Sequence, residues 1–168
     1  MKTLITSDWH LGAKRSAGTT PVTTVTLRER LNAEFKALLM SNLDKDVLIA
    51  GDLFDSFTVD TSVILDTFHT FAEWLDASAG SLFLQSGNHD ANPRGAQVSS
   101  FHLLAGILTS RFPERVTVAD TGFQVLKPGL AVISHVGNQD LLDMEVAKAV
   151  ELDGHWIVCH ANYENTFA

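Results

Sequence analysis

Short apolar runs alternate with longer amphipathic segments in the first part of the chain. Each run holds mainly β-branched and large aliphatic residues and stops at Gly, Asp or Asn, which is typical of buried strands that end in loops. Between the runs, apolar residues recur at the spacing of a helix face. The pattern therefore predicts an α/β fold. The predicted strands are Thr3–Thr6, Val47–Ala50 and Leu82–Gln85.

The amphipathic segments predict helices between and after these strands. A loop rich in Gly, Ser and Thr, from about Gly12 to Thr24, precedes the first helix. Ala79-Gly80-Ser81 ends the second helix, which begins near Val59. A short third helix is predicted at about Val98–Leu108. The apolar face of the first helix is Leu27, Leu31, Phe35 and Leu38, and that of the second is Ile64, Phe68, Phe71 and Leu75.

The second half of the chain has a different pattern. Val116–Val118, Gly122–Leu126 and Leu130–His135 resemble short strands separated by turn residues, which predicts an antiparallel meander or a second sheet. A helix at Asp140–Leu152 and a strand at Trp156–Cys159 follow. The chain has no internal repeat and no obvious linker, so a single domain over residues 1–168 is predicted.

Composition narrows the location and the partners. The single cysteine, Cys159, excludes an internal disulfide and favours a reducing, cytoplasmic compartment. We find no signal peptide and no apolar stretch near the roughly 18 residues of a membrane span. The net charge of −8 argues against a broad basic surface for nucleic acid. Bound divalent cations would reverse that sign locally at an acidic site.

Three short motifs carry the candidate chemistry, and each follows one of the first three predicted strands. Ligands of open α/β sheets bind at the carboxyl ends of the strands, so loops at that edge predict one shared site. The side chains offer imidazole, carboxylate and amide donors, which suit Mn²⁺, Fe or Zn²⁺ better than Ca²⁺ or an iron–sulfur cluster. The motifs are Ser7-Asp8-Trp9-His10, Gly51-Asp52-Leu53-Phe54-Asp55 and Gly87-Asn88-His89-Asp90.

The residue types fit a pair of cations. Asp8 and His10, two positions apart in an extended loop, can face one ion. The two oxygens of Asp52 can bridge two ions, and Asn88 supplies a neutral carbonyl oxygen. Two cations about 3.5–4 Å apart would clamp a phosphate and generate a hydroxide nucleophile. His89 would act as the general acid, with Asp55 orienting its ring.

Each motif alone has a simpler interpretation. Asp-x-His is usually an exposed turn beside a surface histidine. Gly-Asp-x-x-Asp fits a strand end followed by a helix cap at Asp55, and Gly-Asn-His-Asp fits a turn. All three together, in this order and each after a strand, favour a metal site.

The ordered motifs resemble those of the calcineurin-like metallophosphoesterases. Thr6–Gly12 and Gly51–Asp55 resemble more narrowly the SbcD-type DNA-repair exonuclease subunit and its phage relatives, and the resemblance extends from Met1 to about Phe167. Protein phosphatases of the superfamily usually carry Arg-Gly after the second motif, where this chain has Ser56-Phe57.

The resemblance implies a fold and a set of roles. The fold would be a sandwich of two mixed β-sheets flanked by helices. His160, after the last predicted strand, matches the later histidine that binds the second metal; the alternative is a sheet-edge histidine without a metal. His135 has no counterpart and is expected at the rim at best. The implied roles are Asp8 and His10 at the first metal, Asp52 as the bridge, Asn88 and His160 at the second metal, and His89 as the acid paired with Asp55, with Mn²⁺ favoured and Mg²⁺, Fe or Zn²⁺ as alternatives; His69, His102 and His155 are expected to be structural or solvated.

One family feature is missing. Members normally end this core with Gly-His-x-His, whereas this sequence stops at Ala168 without it. We therefore expect a core that is truncated at its C-terminus, or one that a second chain completes. A sheet without its last strands exposes an unpaired edge, which predicts dimerisation or marginal stability.

Three functions follow from these expectations. The first is a metal-dependent DNA exo- or endonuclease, with DNA as substrate and a coiled-coil ATPase of the SbcC type as a candidate partner. The second is a phosphatase or phosphodiesterase on nucleotides or other small phosphoesters. The third is an inactive fragment that binds metal or a partner. Lys14, Arg15 and Arg94 are the cations placed to contact a phosphate backbone, although ordinary solvated charge explains them equally well.

Overall fold

The computed structural model describes residues 1–13, 21–90 and 98–161, with the backbone alone for residues 21–26. Helices and strands alternate as far as residue 119, as the sequence predicts, and none of the described helices is long and apolar enough to span a bilayer. The elements are β1 (Thr3–Thr6), α1 (Pro21–Met40), β2 (Asp46–Ala50), α2 (Thr61–Ala77), β3 (Leu82–Gln85), α3 (Ser100–Arg111), β4 (Val116–Ala119), β5 (Phe123–Lys127), β6 (Leu130–Ile133), α4 (Gln139–Val150) and β7 (Trp156–Cys159).

The first sheet has the order β1-β2-β3-β4, and all of its pairs are parallel. Each connection is a helix, because parallel neighbours need a crossover. Alternate residues of the buried strands face opposite sides. Val47 and Ile49 pack with residues of the helices, including Phe35, Phe71 and Trp74. The main core therefore lies between the helices and this sheet.

The second sheet has the order β5-β6-β7, with an antiparallel β5–β6 pair and a parallel β6–β7 pair. It packs on the other face of the first sheet, where Leu48 and Phe83 meet Leu130 and Val132. The predicted α/β sandwich of two sheets with helices is confirmed. Of the two sheets, the second alone is mixed.

The prediction of a meander beginning at residue 116 was wrong for β4. The strand pairs parallel to β3 in the first sheet, because α3 carries the chain back across that sheet. The hairpin of β5 and β6 does form the predicted second sheet. The first helix also begins earlier than predicted, at Pro21, a residue favoured in the first turn of helices.

The strands β1 and β7 lie at the edges of their sheets. In the described part of the chain β7 pairs with β6 alone, and Trp156 on it is 79% exposed. Ile5 of β1 is 45% exposed. The predicted loop at residues 91–95 and the C-terminal segment from Asn162 lie outside the described residues.

Candidate metal centre

The loops after β1, β2 and β3 meet the end of β7 around one cavity of about 650 Å³. The structure thus brings together the side chains that the sequence singled out at four strand ends. They belong to both sheets, since β7 is part of the second. The predicted residues that line the cavity are Asp8, His10, Asp52, Asn88, His89 and His160.

Main-chain hydrogen bonds connect the first loop to the second. They continue the parallel pairing of β1 with β2 past the ends of both strands, as far as a bridge between Leu11 and Phe54. Candidate ligands on the two loops are thereby held at a fixed spacing. The bonds run from Asp8 N to Gly51 O (3.2 Å), His10 N to Asp52 O (3.1 Å), Leu11 N to Leu53 O (2.9 Å) and Asp55 N to Leu11 O (3.1 Å).

Three candidate ligands have left-handed backbone conformations. The φ angles are 57° at Asp8, 46° at His10 and 51° at Asp52, and the described chain has no other non-glycine residue with positive φ. Such conformations cost of order 1–3 kcal/mol each and cluster at functional sites. The sequence did not reveal this strain, because Asp and His mostly adopt negative φ, although they are enriched among the few non-glycine residues with positive φ.

Asp52 lies buried at the centre of the cluster. Its Oδ1 accepts a hydrogen bond from the His89 main-chain N at 3.0 Å and lies 3.4 Å from His160 Nε2. Its Oδ2 lies 3.8 Å from His10 Nε2 and 3.9 Å from His89 Nε2. Burial opposes ionisation, but hydrogen bonds from His160 and the His89 N–H outweigh it and lower the pKa of Asp52. The carboxylate is therefore charged at neutral pH, with its two oxygens facing different imidazoles.

His160 reaches Asp52 from the second sheet. Its Nδ1 donates to Ala50 O at 3.0 Å, since a carbonyl oxygen only accepts. Its Nε2 lies 3.1 Å from Asn88 Oδ1, beside Asp52. The hydrogen bond to Asp52 raises the pKa of His160, so a proton on Nε2 satisfies these oxygens. A divalent cation would fit the same position, because Asp52 Oδ1, Asn88 Oδ1 and a deprotonated His160 Nε2 could all bind it.

Two glycines make room for this arrangement. Gly51 has a φ of +90°, and a Cβ there would lie 2.2 Å from His160 Nδ1. A Cβ at Gly87 would lie 2.1 Å from Asp52 Oδ1. Side chains at either position would displace the residue they meet.

Two clusters within the site have the close spacing of metal ligands. In the first, one donor atom from each of Asp8, His10 and Asp52 lies within 4.8 Å of the others. The second cluster has the same spacing and contains His10, Asp55 and His89. The Ser7 hydroxyl donates to Asp8 Oδ2 and orients that carboxylate. Asp8, His10 and Asp52 are therefore close enough together to hold one metal ion.

Asp55 contacts His89 differently from the prediction. Its main-chain carbonyl, not its carboxylate, accepts the hydrogen bond from His89 Nδ1, at 2.5 Å. The carboxylate Oδ1 lies 3.4 Å from His10 Nδ1. The reason is local, because the hydrogen bond from Asp55 N to Leu11 O holds this residue against the first loop.

Asp90 belongs to the third motif, but its sequence context predicts no role for it. The side chain is buried, with Oδ2 accepting from Gly87 N at 3.0 Å and Oδ1 from Phe54 N at 3.4 Å. Burial raises the pKa of Asp90. Asp90 therefore ties the second loop to the third.

His135 does not line the cavity, but it lies near enough for the charges of His160 and Asp52 to affect it. Its main-chain N donates to Ser86 O at 3.2 Å, and its Nδ1 is buried without a hydrogen bond to any described residue. Burial, and then the positive charge of His160, lower the pKa of His135, while Asp52 opposes them. The sequence signal for this residue is its position at the end of the predicted strand Leu130–His135.

The other singled-out residues lie elsewhere. His102 contacts Ser99 and Asp120, His155 contacts Asp153 O, and His69 lies on α2 beside Phe68, so none of the three lines the cavity. Lys14, Arg15 and Arg94 lie outside the described residues.

Comparison with known proteins gives one family. The family model described as calcineurin-like phosphoesterase matches residues 1–164, nearly the whole chain. A search of curated proteins gives no match.

Proposed function

Because the chain belongs to the calcineurin-like phosphoesterase family, we propose that it hydrolyses phosphodiesters at the cavity between the strand ends, with DNA as the substrate. Family membership makes it a metal-dependent phosphoester hydrolase, and members generally bind divalent ions. The position of Asp52 carries the proposal, because this one charged carboxylate faces imidazoles from three separate segments.

Two groups of residues around Asp52 would hold a pair of ions. Asp8 and His10 would hold one ion through the cluster that they form with Asp52. Asn88 and His160 would hold the second, since His160 Nε2 lies 3.1 Å from Asn88 Oδ1 and 3.4 Å from Asp52 Oδ1. Bound ions would supply positive charge to a phosphate and lower the pKa of water. Mn²⁺ is our preferred ion for this mixed donor set.

In this proposal His89 would move a proton at the reacting phosphate. Its Nδ1 donates to Asp55 O, so Nε2 is the nitrogen that gains or loses a proton on the cavity side. Nε2 lies 3.9 Å from Asp52 Oδ2, and the His10 ring packs edge-on against the His89 ring. A protonated Nε2 held in this way can act as the general acid for the leaving oxygen.

DNA is proposed from the motifs. The first two motifs resemble those of SbcD-type nucleases, and the second is not followed by the Arg-Gly that is usual in protein phosphatases. The resemblance leaves exo- and endonuclease action open.

A second candidate substrate is a nucleotide or another small phosphoester. The cavity volume of about 650 Å³ lies within the range of small-molecule sites. The net charge of −8 also suits a substrate that does not need a broad basic surface.

The proposal is tested by measuring bound metal and hydrolysis together. Mn²⁺ titration would be followed by electron paramagnetic resonance, and cleavage by assays on linear duplex DNA and on p-nitrophenyl phosphate esters. We expect two ions per chain with DNA cleavage. Asp52→Ala should lose both metal binding and DNA cleavage. His89→Ala should keep the two ions, and its cleavage rate should fall by about 10²–10⁴-fold. His155→Ala, outside the cavity, is the matched control.

The remaining outcomes separate the alternatives. Cleavage of the small esters without DNA cleavage would favour the second candidate. Two bound ions without turnover on any substrate would support a metal-binding protein that is not an enzyme. Absence of Mn²⁺ binding by a folded chain would contradict the proposal.

A further inference from the structure

The two ring nitrogens of His10 have different surroundings. Nε2 lies 3.8 Å from Asp52 Oδ2, on the side of the proposed ion. Nδ1 is buried and makes no hydrogen bond to a described residue. A carboxylate oxygen, Asp55 Oδ1, lies 3.4 Å from Nδ1.

The chemistry of these atoms assigns the hydrogen on the ring. A buried nitrogen without a partner is costly, and an ionised carboxylate can only accept. A hydrogen on Nδ1 would therefore have the Asp55 carboxylate as an acceptor 3.4 Å away, and the lone pair of Nε2 would be free for a cation. Histidines that bind metals usually donate their other N–H to such an acceptor.

The main chain of Asp55 is fixed on both sides. Its N–H donates to Leu11 O at 3.1 Å, and its carbonyl accepts from His89 Nδ1 at 2.5 Å. Because the main-chain carbonyl already holds the His89 ring, the carboxylate is available to His10. One residue thus contacts two imidazoles through different groups.

We propose that Asp55 is a positioning residue whose carboxylate orients His10 for metal binding, while its main-chain carbonyl orients His89. The inference rests on the proposed function, since it takes His10 as a metal ligand. Mutation can separate the two roles, because a side-chain substitution at Asp55 removes the contact with His10 and leaves the carbonyl that binds His89.

Mn²⁺ affinity and imidazole NMR together test the inference. Asp55→Ala should weaken the binding of one Mn²⁺ by about 10–100-fold, the usual effect of removing such a partner. Asp55→Asn, which keeps an uncharged acceptor, should recover part of the loss. In ¹⁵N spectra of the metal-free protein, the Nδ1 signal of His10 should change in Asp55→Ala and that of His89 should remain. His10→Ala assigns the signal and identifies the affected ion.

Controls separate a local effect from unfolding. Asp44→Ala removes an exposed carboxylate outside the cavity and should leave Mn²⁺ affinity unchanged. Circular dichroism of each variant checks that it is folded, and Asp55→Asn serves if Asp55→Ala is not. Unchanged Mn²⁺ affinity in a folded Asp55 variant, or a change at His89 with none at His10, would overturn the inference alone. Wild-type protein that binds no Mn²⁺ would overturn the proposed function as well.

Discussion

The two sheets contribute to the site in different ways. The first sheet supplies Asp8, His10 and Asp52 from loops joined by main-chain hydrogen bonds, next to the main core. The second supplies His160 from β7, an edge strand with mostly exposed side chains. The first proposed ion position is therefore part of the well-packed half of the molecule. The second depends on how firmly the smaller sheet is docked.

Apolar and polar contacts together fix that docking. The apolar cluster between the sheets is smaller than the main core, and polar contacts accompany it. One of them, from Gln85, shares the carbonyl of Ile133 with the main-chain N of His160. Displacement of β6 would therefore move His160 as well. Besides the contacts of His160 with Ala50 O and Asn88, the polar contacts include Gln85 Nε2 to Ile133 O (2.8 Å), Ser134 Oγ to Ala119 O (2.8 Å), His135 N to Ser86 O (3.2 Å) and Lys127 Nζ to Asp46 Oδ2 (2.5 Å).

The largest effect is expected from Gly51→Ala, which disturbs the contact between the first-sheet loops and His160 of the second sheet. The new Cβ would overlap the His160 ring in addition to the cost of its positive φ. We expect a loss of about 2–5 kcal/mol in unfolding free energy and the loss of one Mn²⁺. Urea unfolding and Mn²⁺ titration measure the two. Gly129→Ala is the matched control, because its φ is +83° with no neighbour within 4 Å. Equal losses in both variants, with two ions retained, would refute the steric explanation.

A smaller effect is expected from Asp90→Ala, which removes hydrogen bonds between two loops of the first sheet. Gly87 N and Phe54 N would lose their acceptor, at a cost of about 1.5–3 kcal/mol in unfolding free energy. Asp90→Asn should not restore stability fully, because its amide NH₂ would meet a main-chain N–H. Urea unfolding at pH 7 measures both variants. Full recovery by the asparagine would show that the second carboxylate oxygen is dispensable.

The smallest effect concerns the docking of the second sheet and depends on pH. Burial opposes ionisation of Asp46, but hydrogen bonds from Lys127 and Ser81 N outweigh it and lower its pKa below 3.8. The associated stability is present above that ordinary value and is lost as the pH falls through the lower folded value. Between about pH 5 and pH 3, the wild type should lose about 1 kcal/mol more than Asp46→Asn. Urea unfolding at each pH measures this difference. An equal fall in the unfolding free energy of both proteins over this pH range would exclude the contribution.

The sequence predicted the elements and the residues around the cavity better than their contacts. Strand ends were readable because the runs stop sharply at Gly51 and Gly87, and parallel strands bring such ends to one edge. The sheet that contains β4 was not readable, since a run such as Val116–Val118 carries no record of its neighbour. The pairing of β4 depends on where α3 returns the chain, which the run itself does not record.

Contacts within the site depend on loop geometry rather than residue type. The sequence motifs predicted that Asp55 lies near His89. They did not predict that its main-chain carbonyl binds His89 while its carboxylate lies beside His10. Asp90 was overlooked for a similar reason, since a buried carboxylate that binds main-chain N–H groups resembles an ordinary turn residue.

The left-handed residues have a consequence for protein engineering. Glycine tolerates such a backbone at no steric cost, so glycine at Asp8, His10 or Asp52 relieves local strain while removing a proposed ligand. Selection for thermal tolerance alone would therefore favour sequences that lose the site. Activity and robustness compete at these positions, and variants of this chain need selection for both.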